Sequence, residues 1–525
     1  MEKKLLKIFL IFTFLALQIL SSSILAQSKT TKPVLEDDDL FENAVQFTLA
    51  KAQKARNLAF NFTLTSNKKL VRTQIISGMN DCLELLDDTI ELLANIEKGK
   101  DESTDIEYSR ADIHSWLSAA ITNQETCLES LENYELRAEK GLMAATAGNL
   151  SYDINESLSL FLKKVNSADG DLTSHQNPIS GRRLLSNEKF PTWVSAGDRK
   201  LLEASVDEIK PHAVVAKDGS GTHKTISEAI AFAASLAGGG RSVIHLTAGT
   251  YNEYINVPTK QKNVMLIGDG KGKTVIVGSR NYVDGWTTYD SATVGAMGDG
   301  FIARDITIVN SAGPSKHQAV ALRVGSDRSV VFRCSILGYQ DTLYTHSKRQ
   351  FYRENDIYGT VDFIFGNSAV VIQSCNIFAR KPSSSEVKNF VTAQGRSSPD
   401  QNTGISIHNC RIQAASDLAP VKSNFETFLG RPWKQYSRVV IMESFIDDSI
   451  SPLGWSPWNG GLKSLFYGEF KNAGPGASTA RRVGWPGYHA SLTPPQANSF
   501  TVAGFIAGDA WLPSTGVSFD SGLLG

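Results

Sequence analysis

Gln318, Gln340 and Asp362 stand 22 residues apart, and Asp341 adjoins Gln340. Two carboxyls and two carboxamides gathered in one patch suit acyl transfer. One carboxylate attacks a carbonyl carbon, the other gives and later recovers a proton, and amide N–H groups hold the oxyanion between them. Carboxyls brought close together push their pKa values apart, so one stays protonated while the other is ionised. Adjacent residues on a regular strand point to opposite faces, so Asp341 joins the patch only where the chain bends. Gly338 and its turn-like surroundings allow such a bend.

A fixed interval places these residues side by side if the chain returns on itself once per interval. After Val206 the sequence consists of short β-branched runs punctuated by Gly and Asn: Val243–Leu246, Asn263–Ile267, Arg304–Val309, Val330–Cys334, Ala369–Ile372, Gly404–Ile407 and Arg438–Met442. Helical periodicity is confined mainly to Ile226–Leu236. A local phrase recurs as Arg333-Cys334-Ser335-Ile336, Ser374-Cys375-Asn376-Ile377 and Asn409-Cys410-Arg411-Ile412, with Glu354-Asn355-Asp356-Ile357 between the first two. Short strands repeating in one register at 20–21 residues predict a parallel β-solenoid, whose coils are about 4.8 Å apart. A β-sandwich would give short strands without same-register phrases.

The part before the solenoid reads differently. From Glu36 to about Val165, apolar residues recur at three- and four-residue intervals with almost no Gly or Pro, which predicts a four-helix bundle. Cys82 and Cys127 lie in its second and third helical stretches and could staple them. The sequons at Asn61, Asn149 and Asn155 fall in the same segment. A polar linker, residues 167–205, follows with Arg182, Arg183, Arg199 and Lys200 as exposed dibasic pairs open to a protease. Ahead of the bundle, Lys3, Lys4 and Lys7 precede an apolar run, Ile8–Leu20, and small residues end at Ala26. That run is short of the ~20 residues that span a bilayer and reads as a secretory signal peptide over residues 1–26. The bundle segment is then 27–166 and the solenoid 206–525.

At 525 residues with 41% hydrophobic and 20% charged, the chain is ordinary globular protein. Net charge is −1, but Gln27–Arg183 holds 17 basic against 25 acidic residues, and Glu203 onward holds 30 against 26. The two parts are complementary in sign, and so weak a basic excess argues against nucleic acid. Five cysteines leave at least one without an intrachain partner. Gly268–Thr274 has a phosphate-loop look but carries Ile267 where a Walker motif needs Gly, and it reads as a turn. No His/Cys cluster has zinc spacing, and ester hydrolysis by this residue set needs no metal or cofactor.

Longer strings around these residues resemble the plant pectin methylesterases. They are Gly249–Glu253, Gln318–Arg323, Gly338–Tyr344, Gly359–Asn367, Leu429–Trp433 and Gly454–Trp458, within a match from about Val214 to Trp485. The bundle resembles the inhibitor-like pro-region of the longer family members, and Arg182–Leu185 and Arg199–Leu202 resemble its processing sites. The resemblance implies a right-handed parallel β-helix that removes methyl esters from homogalacturonan. Asp362 would be the nucleophile and Asp341 the acid, then base. Gln318 and Gln340 would stabilise the tetrahedral intermediate. Arg431 would pair with Asp362, Trp433 and Trp455 would stack on sugar rings, and Thr288 would touch substrate. It further implies a secreted, monomeric cell-wall enzyme that meets methyl-esterified pectin, a processing protease and a proteinaceous pectinesterase inhibitor.

Two departures from the family pattern stand out. The cysteine-bearing helical hairpin that usually opens the pro-region is missing, because only a few residues separate Ala26 from Val34. Asn355 stands where many relatives carry a cysteine paired with the equivalent of Cys375. Cys334 is two coils from Cys375, about 9–10 Å, too far to bridge. Cys375 is therefore expected to be a free buried thiol beside Asn355. A silent, binding-only relative would have lost an acid or a glutamine, and this sequence keeps all of them.

Overall fold

The computed structural model describes residues 37–68, 73–98, 108–132, 137–170, 210–236, 240–383, 386–458 and 461–525. The signal-peptide stretch and the linker with Arg182, Arg183, Arg199 and Lys200 lie outside the described residues.

Four helices form the N-terminal part: α1 (Asp37–Lys68), α2 (Thr73–Lys98), α3 (Arg110–Ser130) and α4 (Arg137–Gly170). Each packs on its sequence neighbour, and α1 also packs on α4, closing a bundle around Leu85, Leu86, Leu93, Leu117, Ile121, Ile154 and Leu158. A disulfide joins Cys82 on α2 to Cys127 on α3. Asn61 and Asn149 are exposed and Asn155 is half-buried, its Nδ2 donating to Ser151 O at 2.9 Å. Helix α3 starts at a capping box in which Ser109 and Asp112 satisfy each other's backbone N–H groups. It is buried on its polar side as well: Ser115, Ser118, Thr122, Asn123, Gln124 and Thr126 are all inaccessible. An all-round buried helix has neighbours on both flanks. Here the second neighbour is the β-structure.

That structure is the expected parallel β-helix, with sheets of eleven, seven and eight strands among the described residues, every ladder parallel. One coil runs from Ser329–Phe332 in the first sheet through Ser335–Leu337 in the third to Leu343–Thr345 in the second. The repeated phrases are in register: Ile308, Ile336, Ile357, Ile377, Ile412 and Ile446 form one interior stack. The corner before each is a single left-handed residue, as at Asp305 (φ 58°), Arg333 (51°), Glu354 (57°), Ser374 (53°) and Asn409 (55°). Those corners split two runs that the sequence presents as continuous. Arg304–Val309 is the end of Ile302–Arg304 and most of Thr307–Asn310, and Val330–Cys334 stops as a strand at Phe332. The phosphate-loop look-alike is the turn between strands Val264–Gly268 and Thr274–Gly278.

Cys334, Cys375 and Cys410 are free and buried inside the coils. Asn355 fills the gap in that ladder. Its Oδ1 accepts from Cys334 N (2.8 Å), its Nδ2 donates to Val331 O (2.9 Å), and its own N–H points at Cys375 Sγ (3.3 Å).

Candidate active site

The second sheet, from Ile255–Val257 to Glu426–Pro432, lies under the bundle. Gln318, Gln340, Asp341 and Asp362 precede its strands Leu322–Val324, Leu343–Thr345 and Ile364–Gly366, whereas Arg431 and Trp433 come at the C-terminal end of Glu426–Pro432. Leu322 pairs with Leu343 and Leu343 with Ile364, an offset of 21. The ladder partner of Asp362 is thus Asp341 rather than Gln340. The 22-residue spacing of Gln318, Gln340 and Asp362 steps one residue off register per coil, although the three still fall on successive coils. Asp341 bends as the patch requires. Asp341 (φ 60°) and Asp362 (φ 50°) are both left-handed, a conformation that aspartate tolerates better than most residues. Thr342 Oγ1 pins the first turn to Tyr339 O at 3.0 Å. Gly359 must lack a side chain, because a Cβ there would lie 2.1 Å from the Phe363 Cβ.

A cavity of about 370 Å³ opens over these turns and is lined by Thr288, Gln318, Gln340, Asp341, Asp362 and Arg431. Arg431 grips Asp362 with two parallel bonds, Nε to Oδ1 at 2.8 Å and Nη2 to Oδ2 at 2.6 Å. Its guanidinium carbon lies over the rings of Phe390 (4.1 Å from the ring centre) and Trp458 (3.9 Å). Arg431 pairs in the ladder with Ala393, and Ala393 with Phe365, so a small side chain leaves room for the guanidinium to reach back to Asp362. Both aspartates are buried, 7% and 4% exposed. Burial pushes the Asp341 carboxyl well above the usual carboxylate range, and the neighbouring Asp362 pushes it further. Burial also raises Asp362, but the Arg431 pair acts against it. The geometry favours Asp362 as the ionised partner and Asp341 as the protonated one.

The sequence expectation for tryptophan needs correction. Trp433 lines the cavity, its ring edge-on to Phe365 at 6.1 Å. Trp455 does not. It is 0% exposed in the β-helix core against Tyr467 (4.5 Å), so no sugar can reach it. The bridge from Gly430 to Trp455 turns that ring inward, and Trp458 three residues on faces the cavity. Also unforeseen are Tyr344 and Phe365, stacked at 4.2 Å to form an aromatic floor. Both lie in the quoted strings, and the 21-residue register is the signal that pairs them.

Part of the lining comes from the bundle: Thr126, Glu129 and Ser130 on α3, and Glu132 just beyond it. Glu129 accepts from Lys434 Nζ at 2.7 Å, and Thr126 meets His346 Nε2 at 2.9 Å. On α2, Asp81 accepts from Thr287 Oγ1 (2.6 Å) and Glu84 from Tyr289 OH (3.2 Å).

Residues 212–509 match the family model described as pectinesterase. The chain belongs to the pectinesterase family. Residues 17–162 match the model for the plant invertase/pectin methylesterase inhibitor, so a pectinesterase domain and an inhibitor-type domain share one chain. A relative from Arabidopsis thaliana named probable pectinesterase/pectinesterase inhibitor 35 is 60% identical over 95% of this chain and 90% of its own length. Pectinesterase 2 of Citrus sinensis is 49% identical over 95% and 91%. Among solved structures, a pectin methylesterase from carrot is 55% identical, with a TM-score of 0.59, covering 61% of this chain and 99% of that one. Family membership makes the chain a carboxylic ester hydrolase, a pectinesterase built on a parallel β-helix.

Proposed function

We propose that this pectinesterase removes methyl esters from homogalacturonan through an aspartyl acyl-enzyme, and that its bundle withholds the cleft until the linker is cut. The observation that carries the chemistry is the pair Asp341 and Asp362, in register on adjacent coils but with only Asp362 bonded to Arg431. An Asp362 oxygen attacks the ester carbonyl carbon, and the carbonyl oxygen takes the negative charge under the amide N–H groups of Gln318 and Gln340. As the tetrahedral centre collapses, the C–O bond to the methoxy group breaks and Asp341 gives its proton to the departing methanol. Asp341, now a carboxylate, takes a proton from water. The hydroxide attacks the anhydride carbon, freeing Asp362 and leaving a galacturonate carboxyl. Trp433 and Trp458 offer ring faces to the sugars, and Thr288 lines the same cavity from the coil before Gln318.

In the intact chain α3 stands over this cleft, which supports autoinhibition. The basic start and short apolar run support secretion to the cell wall, where pectin is met. The dibasic pairs support cutting by a protease at either Arg183 or Lys200. Exposed Asn61 and Asn149 suit glycosylation, and no second copy is needed to complete the site. The test is methanol release from highly methylated pectin before and after cleavage in the linker and removal of the bundle. The cut enzyme is expected to release methanol and the uncut chain little. Equal rates would overturn the autoinhibition.

A further inference from the structure

Away from the cleft, a second row of cations crosses the coils. Ser329 pairs with Gln350, so Arg328 and Arg349, one position earlier, are neighbours. Arg349 pairs with Ala369, Ala369 with Gly404, and Ile405 with Val439, which sets Gly404 beside Arg438. Arg328, Arg349 and Arg438 thus share one register line, and only the small Ala369 and Gly404 stand between the last two. Arg349, Arg396 and Arg438 line a cavity of about 450 Å³ at the seam, roofed by Ala111, His114 and Leu162 of the bundle.

Two of these arginines, Arg396 and Arg438, form no ion pair at contact distance among the described residues even with the bundle in place. Arg396 Nε donates to Gln401 O (2.8 Å) and its Nη2 to Pro399 O, while Arg438 Nε donates to Thr403 O (2.7 Å). Burial, with Arg396 alongside, pushes Arg438 down to about 9. The other cations are met by bundle carboxylates. Asp112 takes Arg328 and Arg349, each at 2.6 Å, Asp88 takes Lys348 at 2.7 Å, and Glu129 takes Lys434 at 2.7 Å. In each pair the acid belongs to the bundle and the base to the β-helix. Removing the bundle leaves Arg328, Lys348, Arg349, Arg396 and Arg438 facing the β-helix's own Asp299, Asp327 and Asp400, while Lys434 belongs to the cleft.

We propose that this row is a lane for de-esterified homogalacturonan, uncovered when the bundle leaves, with Asp88 and Asp112 standing where sugar carboxylates would sit. The inference rests on the pectinesterase reading, because the anion that fits is that reaction's own product. The lane runs along the coil axis, as the cleft does, but at the C-terminal ends of the second sheet's strands. A three-residue strand separates the lane from Asp341 and Asp362, roughly 10 Å. Carboxylates made in the cleft would hold the enzyme beside the esters that remain.

The test uses the β-helix part, which has its own core and corresponds to nearly the whole of the carrot protein. The probes are fully de-esterified polygalacturonate and a galacturonate trimer, too short to engage cleft and lane together. The β-helix part is expected to bind the polymer at least about tenfold more tightly than the uncut chain, and more weakly as salt rises. Arg396→Gln/Arg438→Gln is expected to lose about tenfold in polymer affinity with trimer affinity unchanged. Arg328→Gln, at a more exposed position, repeats the test should the double variant fold poorly. Polymer binding that is equal in variants and parent, equal in cut and uncut chains, or lost in step with trimer binding would overturn the lane. Methanol release by the parent is read separately. Its absence with polymer binding intact would overturn the site's chemistry and leave the lane standing.

Discussion

Asp341 and Asp362 occupy equivalent positions on adjacent coils, both left-handed, yet Arg431 bonds to Asp362 alone. A β-helix makes this asymmetry easy to build, because each coil repeats the backbone position while the side chains around it vary. On the proposed mechanism the same turn supplies the acid on one coil and the nucleophile on the next.

Replacing Arg431 by Ala leaves burial acting on Asp362 with no cation against it, so its pKa rises. The nucleophile must be ionised, so the acidic limb of kcat/KM against pH is expected to move to higher pH. The neutral-pH rate should fall by roughly 10²-fold. Arg431→Lys restores charge without the two-point grip and should recover only part of the rate. An unmoved acidic limb would exclude Arg431 from tuning Asp362.

On the proposed mechanism Asp341 must hold a proton to give to methanol. Burial first, and Asp362 second, keep it protonated into a higher pH range than usual. The alkaline limb of the profile is therefore assigned to Asp341, activity falling as pH rises through its pKa. Asp341→Asn is expected to abolish that limb and lower kcat by about 10²–10⁴-fold. A limb retained in that variant would belong to another group.

The two tryptophans of the Gly454–Trp458 string should part company. Trp455→Ala empties a core site and is expected to cost about 3–5 kcal/mol in denaturant unfolding. Trp458→Ala should raise KM with little change in the unfolding midpoint. The reverse pattern would return Trp455 to the substrate.

The seam should loosen at alkaline pH. Asp81 is pushed up to about 8 by burial and by Asp290, with Thr287 and Arg323 acting against them. Burial pushes Glu125 up to about 7, with Ser397 and Lys434 opposing it and Glu129 adding to it. Both values are raised in the packed state, so packing takes up protons. Its contribution is full below the ordinary carboxylate range and is lost as pH rises through about 7 to 8. A linker-cut chain is expected to keep its bundle at pH 5 and shed it at pH 9, as size-exclusion chromatography would read. Faster release at pH 5 would contradict this sign.

Much of the architecture was legible because it repeats. The Cys-x-Ile phrases marked the interior stack, and the near-absence of Gly and Pro marked the bundle. The corners at Asp305 and Arg333 were hidden, since a left-handed turn there needs no glycine and interrupts no β-branched run. The site residues could be named from motif strings, but not which of Trp455 and Trp458 faces out, because a turn rather than a strand period decides it. Nor could the polar flank of α3 be read. Ser118, Thr122 and Thr126 look solvent-facing until the β-helix is laid against them.

The most direct measurement is methanol release from highly methylated pectin by the segment beginning near Leu201, native and Asp362→Ala side by side, with the fold of both checked. Methanol from the native segment alone is the expected result. Comparable release by Asp362→Ala would keep the reaction and contradict Asp362 as its nucleophile.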